Sequence, residues 1–160
     1  MNTNSKRISI TIIFAALYAV TVIVLAPISF GIVQVRLADA LLPLSIIFGI
    51  PGAIGFGLGA LLSNFYGGLG AVDIIGGATA NLIACTLAYY IAKKRGVIFR
   101  FFASVVETVV ITVIVGGYLA LLFDVPIEIA FLGVLIGSII AINLIGFPLQ
   151  EAIRKTKVKY

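Results

Sequence analysis

Histidine is absent from all 160 residues. Its absence removes the commonest general base and the commonest metal ligand, and with them any Ser–His or Cys–His nucleophile pair. No Gly-x-x-x-x-Gly-Lys-Ser/Thr run is present either, so the chain is not expected to hydrolyse ATP by itself. Charge is scarce: 11% of residues are charged, where soluble domains carry about 25%. The single cysteine, Cys85, sits inside an apolar run. It reads as a small buried hydrophobe and carries no redox information. Low-complexity tracts and soluble-type repeats are also missing. Nothing here supports an enzyme, a metal site or a resident cofactor.

What is present is hydrocarbon. Hydrophobic residues make up 62% of the chain and the mean hydropathy is +1.25, too apolar to build a water-facing surface. Almost every stretch of twenty residues could sit in a bilayer core about 30 Å thick. The expectation is one all-α integral-membrane domain over residues 1–160. The net charge of +5 does not point to nucleic acid, because the basic residues fall in short clusters between apolar runs, as orientation signals do.

Six transmembrane helices are expected. The apolar stretch Ile8–Leu25 follows Lys6 and Arg7 and ends before Pro27. It is longer than a signal-peptide core of about 7–15 residues, so it reads as a first span and not a cleaved leader. Thirty mostly apolar residues from Leu37 to Tyr66 make one helix of about 45 Å, too long for a single span without strong tilt. The Pro51-Gly52 turn signal divides them into Leu37–Ile50 and Pro51–Tyr66. Asp73–Ala92, Phe99–Phe123 and Ile127–Leu149 complete the set. With both termini cytoplasmic, ten of the eleven Lys and Arg residues lie inside and only Arg36 outside. That asymmetry favours six spans over five.

Ionisable and amide groups inside spans are costly and therefore candidates for function. Helix direction sorts them by depth. Arg36, Asp39, Asn64, Tyr66, Asp73 and Tyr118 fall at the outer end, with Thr79 and Asn81 roughly 9 and 12 Å deeper than Asp73. They can converge on one outward-facing pocket. Each also has a plainer reading: Arg36 and Asp39 can pair along one helix turn, Asp73 can cap its helix, and Asn81 can bridge helices. Glu107 lies toward the inner end and suits a helix-to-helix hydrogen bond or a partner contact, as does Asn143. The run Gly55-Phe56-Gly57-Leu58-Gly59 imitates a dinucleotide fingerprint, but in an apolar span with no preceding strand it reads as close helix packing.

The stretch LAPISFGIVQVRLADAL (25–41) resembles the QueT family of queuosine-precursor transporters. SNFYGGLGAVDIIGG (63–77) is similar to a second signature of that family, and LIGFPL (144–149) to its last helix. Members are similar to S components of energy-coupling factor transporters. The resemblance implies a six-helix fold and a small-molecule site in the outer half, closed by the first, third and fifth connections. It implies complexes with a transmembrane coupling subunit and two cytoplasmic ATPase subunits, in the cell membrane. Substrate-binding residues would be Gln34, Arg36, Asp39, Asn64, Asp73 and Asn81, with Gln34 on a closing loop. An Ala-x-x-x-Ala seam of Ala15 and Ala19, with Ala16 beside it, would meet the coupling subunit. The chain departs from the family pattern at Gly137-Ser138, where Gly-Glu is expected, and at Ile111 or Thr112, where an asparagine is expected. The substrate is therefore left open between a 7-deazaguanine and a related vitamin-like molecule. Two other classes compete: a self-sufficient oligomeric secondary transporter coupled to protons through Glu107, and a membrane enzyme, which the missing histidine opposes.

Overall fold

The computed structural model describes residues 3–30 and 35–156. All regular structure among them is helical, in seven segments and not the expected six. They are α1 (Thr3–Val24), α2 (Ala26–Ser29), α3 (Leu37–Phe48), α4 (Ile50–Gly67), α5 (Ala71–Ala92), α6 (Val97–Phe123) and α7 (Ile127–Lys155). The additional segment is α2. Pro27, expected to stop the first helix, instead sits in the first turn of this short one, where its missing N–H costs nothing. Four helices, α1, α5, α6 and α7, are long and apolar enough to cross a membrane.

The break between the second and third expected helices is real but falls at Gly49. Its φ of +68° is one that side chains rarely tolerate, and Pro51 then occupies the first turn of α4. The α3 segment is unusual in a second way, since Leu37–Leu44 is a 3-10 helix. Tighter winding than an α-helix makes it slender, and it threads the middle of the bundle, touching α1, α4, α5, α6 and α7. Ala38, Leu42 and Leu44 are all buried there. The charged start of α3 is therefore carried into the interior.

Around it the long helices pack in chain order, α1 on α4, α4 on α5, α5 on α6 and α6 on α7. Small residues set the spacing. A Cβ built on Gly59 would lie 2.8 Å from the Ala15 carbonyl oxygen and the Tyr18 Cβ, and one on Gly55 would lie 2.7 Å from the Thr11 carbonyl oxygen. The glycine run thus serves close helix approach, as its apolar setting implied. Large aliphatics such as Ile12, Ile13, Val20, Val113 and Leu132 point outward, while Asp73, Asn64, Glu107 and Gln150 are fully buried. Apolar outside and polar inside is the arrangement hydrocarbon surroundings impose.

The last helix is not regular. Residues Ile139–Gly146 wind as a π-helix, a form that recurs at functional sites. Gly146 lets this stretch approach α3, since its built Cβ would meet the Ala40 carbonyl oxygen at 2.6 Å.

Candidate functional site

The slender α3 delivers Arg36 and Asp39 to the bundle interior, where they are 6% and 5% exposed. They do not pair with each other. Asp39 instead accepts a 2.6 Å hydrogen bond from the Tyr18 hydroxyl of α1. The Arg36 guanidinium packs 5.6 Å from the centre of the Phe30 ring and makes no hydrogen bond or ion pair with another described residue. Its Nε is buried and unpartnered. A buried guanidinium left this way is expensive unless an acceptor arrives.

Arg36, Asp39 and Asn81 line a void of about 10 Å³ together with Ile111, Val115, Val134 and Ser138. That is room for about one water molecule. Its lining is two-sided. Polar groups come from α3 and α5, while α6 and α7 supply three aliphatics and one hydroxyl. Asn81 donates to the Phe56 carbonyl at 3.4 Å, so it bridges helices and faces the void as well.

A second carboxylate lies at the same end of the bundle. Asp73 sits in the first turn of α5 but does not cap it through its side chain; the cap position is Gly70. Asp73 Oδ1 accepts from the Tyr118 hydroxyl at 2.8 Å, and its main-chain oxygen accepts from Asn64 Nδ2 at 2.8 Å. Asp73 Oδ2 and Asn64 Oδ1 are both buried without a partner.

One pocket was expected for Arg36, Asp39, Asn64, Asp73 and Asn81; Arg36, Asp39 and Asn81 line the void, whereas Asn64 and Asp73 are hydrogen-bonded to each other outside its lining. Gln34 lies outside the described residues. Tyr66, 62% exposed, and Thr79, also exposed, turn away from the cluster, because helix rotation and not depth decides which side a residue faces. Ala15 and Ala19 are buried against α4; the outward side of α1 carries Ala16 with Ile12, Ile13 and Val20. Their expected role as an exposed partner seam does not fit this packing.

Glu107 is fully buried one turn below Ile111 and accepts from Ser45 Oγ at 3.3 Å, the helix-to-helix bond its position suggested. Asn143 bridges likewise, donating to Ser104 Oγ at 3.1 Å and accepting from Thr108 at 2.8 Å. Sequence reasoning missed Tyr18. A lone tyrosine within an apolar helix was the available signal, because a buried phenol needs a partner. It also treated Ser138 and Ile111 only as departures from a pattern, whereas both line the void.

A polar cluster enclosed by apolar helices, with an unsatisfied charge facing a small internal void, is what a carrier of small polar molecules requires. A family model described as QueT transporter matches residues 8–155. The chain belongs to the QueT transporter family. Membership makes it a membrane transporter with a small-molecule substrate, and every residue of the cluster lies within the matched QueT region. No curated protein and no solved structure matches the chain.

Proposed function

We propose that this QueT family member is the substrate-binding S component of an energy-coupling factor uptake transporter. It would be a multi-pass protein of the cell membrane with both termini cytoplasmic, importing a 7-deazaguanine-type queuosine precursor. One observation carries the reading: the unpaired Arg36 guanidinium beside the Tyr18-held Asp39 carboxylate on one internal void. The pyrimidine edge of a guanine-like base presents one carbonyl acceptor next to two N–H donors. A guanidinium donates to the first and a carboxylate accepts from the others, each bond favoured by the dry setting. Asn81 and Ser138 add further polar contacts, and Ile111, Val115 and Val134 suit the apolar ring faces. Asn64 and Asp73 are proposed as further substrate contacts, with Gln34, which lies outside the described residues, as another.

The void of about 10 Å³ is far too small for a bicyclic base, so binding requires the outer connections or the α6–α7 wall to move. The chain has no nucleotide-binding loop, so the energy would come from a transmembrane coupling subunit and two cytoplasmic ATPases. Contact with the coupling subunit is proposed on the outward face of α1 around Ala16.

Calorimetry on purified protein, with queuosine precursors, guanine and water-soluble vitamins, tests the reading. Asp39→Asn is expected to weaken deazaguanine binding by about 5–150-fold, the cost of an unpaired buried group. Glu107→Gln is expected to bind as the parent does. A second reading rests on Glu107, whose Oε2 is buried and unpartnered: a proton-coupled secondary transporter. Loss of binding in Glu107→Gln, with Asp39 and Asp73 tolerant of replacement, would favour it.

A further inference from the structure

A groove of about 1020 Å³ opens at the other end of the bundle from the polar cluster. It is framed by the first turns of α1 and α4, the end of α3 and Tyr89 near the end of α5. Gly49 shapes it. Its φ of +68° turns α3 sharply into α4, and a Cβ there would lie 3.3 Å from the Tyr89 ring. Thr11 of α1 donates to the Pro51 carbonyl of α4 at 3.0 Å, which pins two walls of the groove together.

The lining is divided by chemistry. Lys6 and Arg7 stand exposed at the start of α1. Lys93 adds a third cation at this rim, with its Nζ 5.1 Å from the centre of the Tyr89 ring. Further along α1 and α4 come the aliphatics Ile8, Ile12 and Ile54, exposed by 59%, 63% and 42%. No carboxylate is among the described lining residues, and Glu151, at the same end of the bundle, is already paired with Arg100 and Arg154. A cationic rim joined to an open aliphatic wall matches a phospholipid, which offers a phosphate to the first and acyl chains to the second. A soluble anion would use the rim and leave the wall bare. A lipid of zero net charge would cover the wall and leave the positive rim unbalanced. On the proposed orientation this end meets the cytoplasmic leaflet, where anionic lipids attract polybasic segments.

We propose that this groove binds one anionic phospholipid, its headgroup phosphate held by Lys6, Arg7 and the Tyr89 hydroxyl while an acyl chain lies along Ile8, Ile12 and Ile54. The lipid then bridges α1, α4 and α5 at the break between α3 and α4, at the end of the bundle remote from the polar cluster. The site is distinct from that of the transported molecule.

Native mass spectrometry of the protein released from mixed micelles tests this, with palmitoyl-oleoyl phosphatidylglycerol and the matching phosphatidylcholine as competing probes. Each cation near a lipid headgroup contributes about fivefold in affinity. The parent protein is expected to retain one phosphatidylglycerol, about 10–100-fold in preference to phosphatidylcholine. Lys6→Gln with Arg7→Gln should weaken phosphatidylglycerol binding by about 25-fold. Lys94→Gln with Lys155→Gln removes the same net charge from residues outside the groove and should change it less than about twofold. Ile54→Asn should weaken both lipids alike, since it touches the wall and not the rim. Equal retention of the two lipids by the parent overturns the proposal. Equal losses in the two glutamine pairs also overturn it, by reducing the preference to net charge. Intact phosphatidylglycerol binding in Lys6→Gln with Arg7→Gln overturns it too, and loss of a co-purifying coupling subunit in that variant would make the groove a protein seat instead. The measurement uses no substrate, so its outcome is independent of the proposed function.

Discussion

Asp39 and Asp73 each rest on a tyrosine hydroxyl supplied by another helix, Tyr18 from α1 and Tyr118 from α6. A phenol can hold a carboxylate in place without cancelling its charge, so the acid stays oriented and still needs a partner. This distinguishes the two aspartates from Glu151, which is bound by Arg100 through two nitrogens and has no such need. Tyr18→Phe removes the orienting donor while keeping the ring against Phe56. Ligand affinity is expected to fall by about 5–10-fold, toward the lower end of the cost of one buried hydrogen bond. Calorimetry against the parent protein measures it, with far-ultraviolet circular dichroism to show that the helices remain. Ser45→Ala belongs to the other polar group. It strips Glu107 of its donor, so thermal unfolding in detergent should show a loss of about 1–3 kcal/mol while deazaguanine affinity is retained.

At the scale of elements, α1 and α4 meet through Gly55 and Gly59, and this contact places Tyr18 opposite Asp39. Gly59→Leu puts bulk where even a Cβ would lie 2.8 Å from α1. Lipid provides no hydrophobic drive to hold helices together, so packing losses are not offset. Overpacking of this kind costs about 1–3 kcal/mol, and the unfolding midpoint should drop together with ligand affinity, because the site is built across the same seam. The C-terminal end of α7 is fastened differently. Arg100 and Glu151 form a bidentate pair, at 7% and 15% side-chain exposure, and Arg100 also donates to the Arg95 carbonyl at 2.6 Å. Glu151→Ala leaves a shielded guanidinium and should destabilise by roughly 2–3 kcal/mol. Adding Arg100→Met should recover part of that loss, since an apolar pair often replaces a shielded ion pair at little cost. Detergent unfolding curves of the single and double variants separate these outcomes.

For the whole molecule, the polar cluster sits where α4 and α6 end and α5 begins, while the described basic residues other than Arg36 lie toward the opposite helix ends. The orientation proposed above makes a direct expectation. In a Cys85→Ala background, single cysteines at Thr3, Gly96 and Thr156 should resist a membrane-impermeant thiol reagent in intact cells, and those at Gly70 and Val125 should label. Cys85 itself is fully buried, so its removal should not alter the pattern. Labelling at any of the three basic segments would break the proposed orientation.

How much of this was legible beforehand follows from the kind of signal each feature leaves. Scarce charge and continuous apolar runs of about twenty residues pointed to a helical membrane protein, because such a run satisfies its own backbone as a helix in lipid. Proline, glycine and charge clusters placed the long helices to within a few residues at most ends, and depth along each helix placed Arg36, Asp39, Asn64, Asp73 and Asn81 at one end. Helix rotation and winding were not legible. Thr79 and Tyr66 share the depth of the cluster yet face outward, and Ala15 and Ala19 face inward onto α4. The 3-10 winding of Leu37–Leu44 and the π-helix of Ile139–Gly146 depend on what packs against them, so no local pattern announces them. The sequence by itself determined the solvent, the helices and the list of polar residues. Only the tertiary structure decided which of those residues meet, because a slender central α3 carries a charged turn in among helices drawn from both ends of the chain.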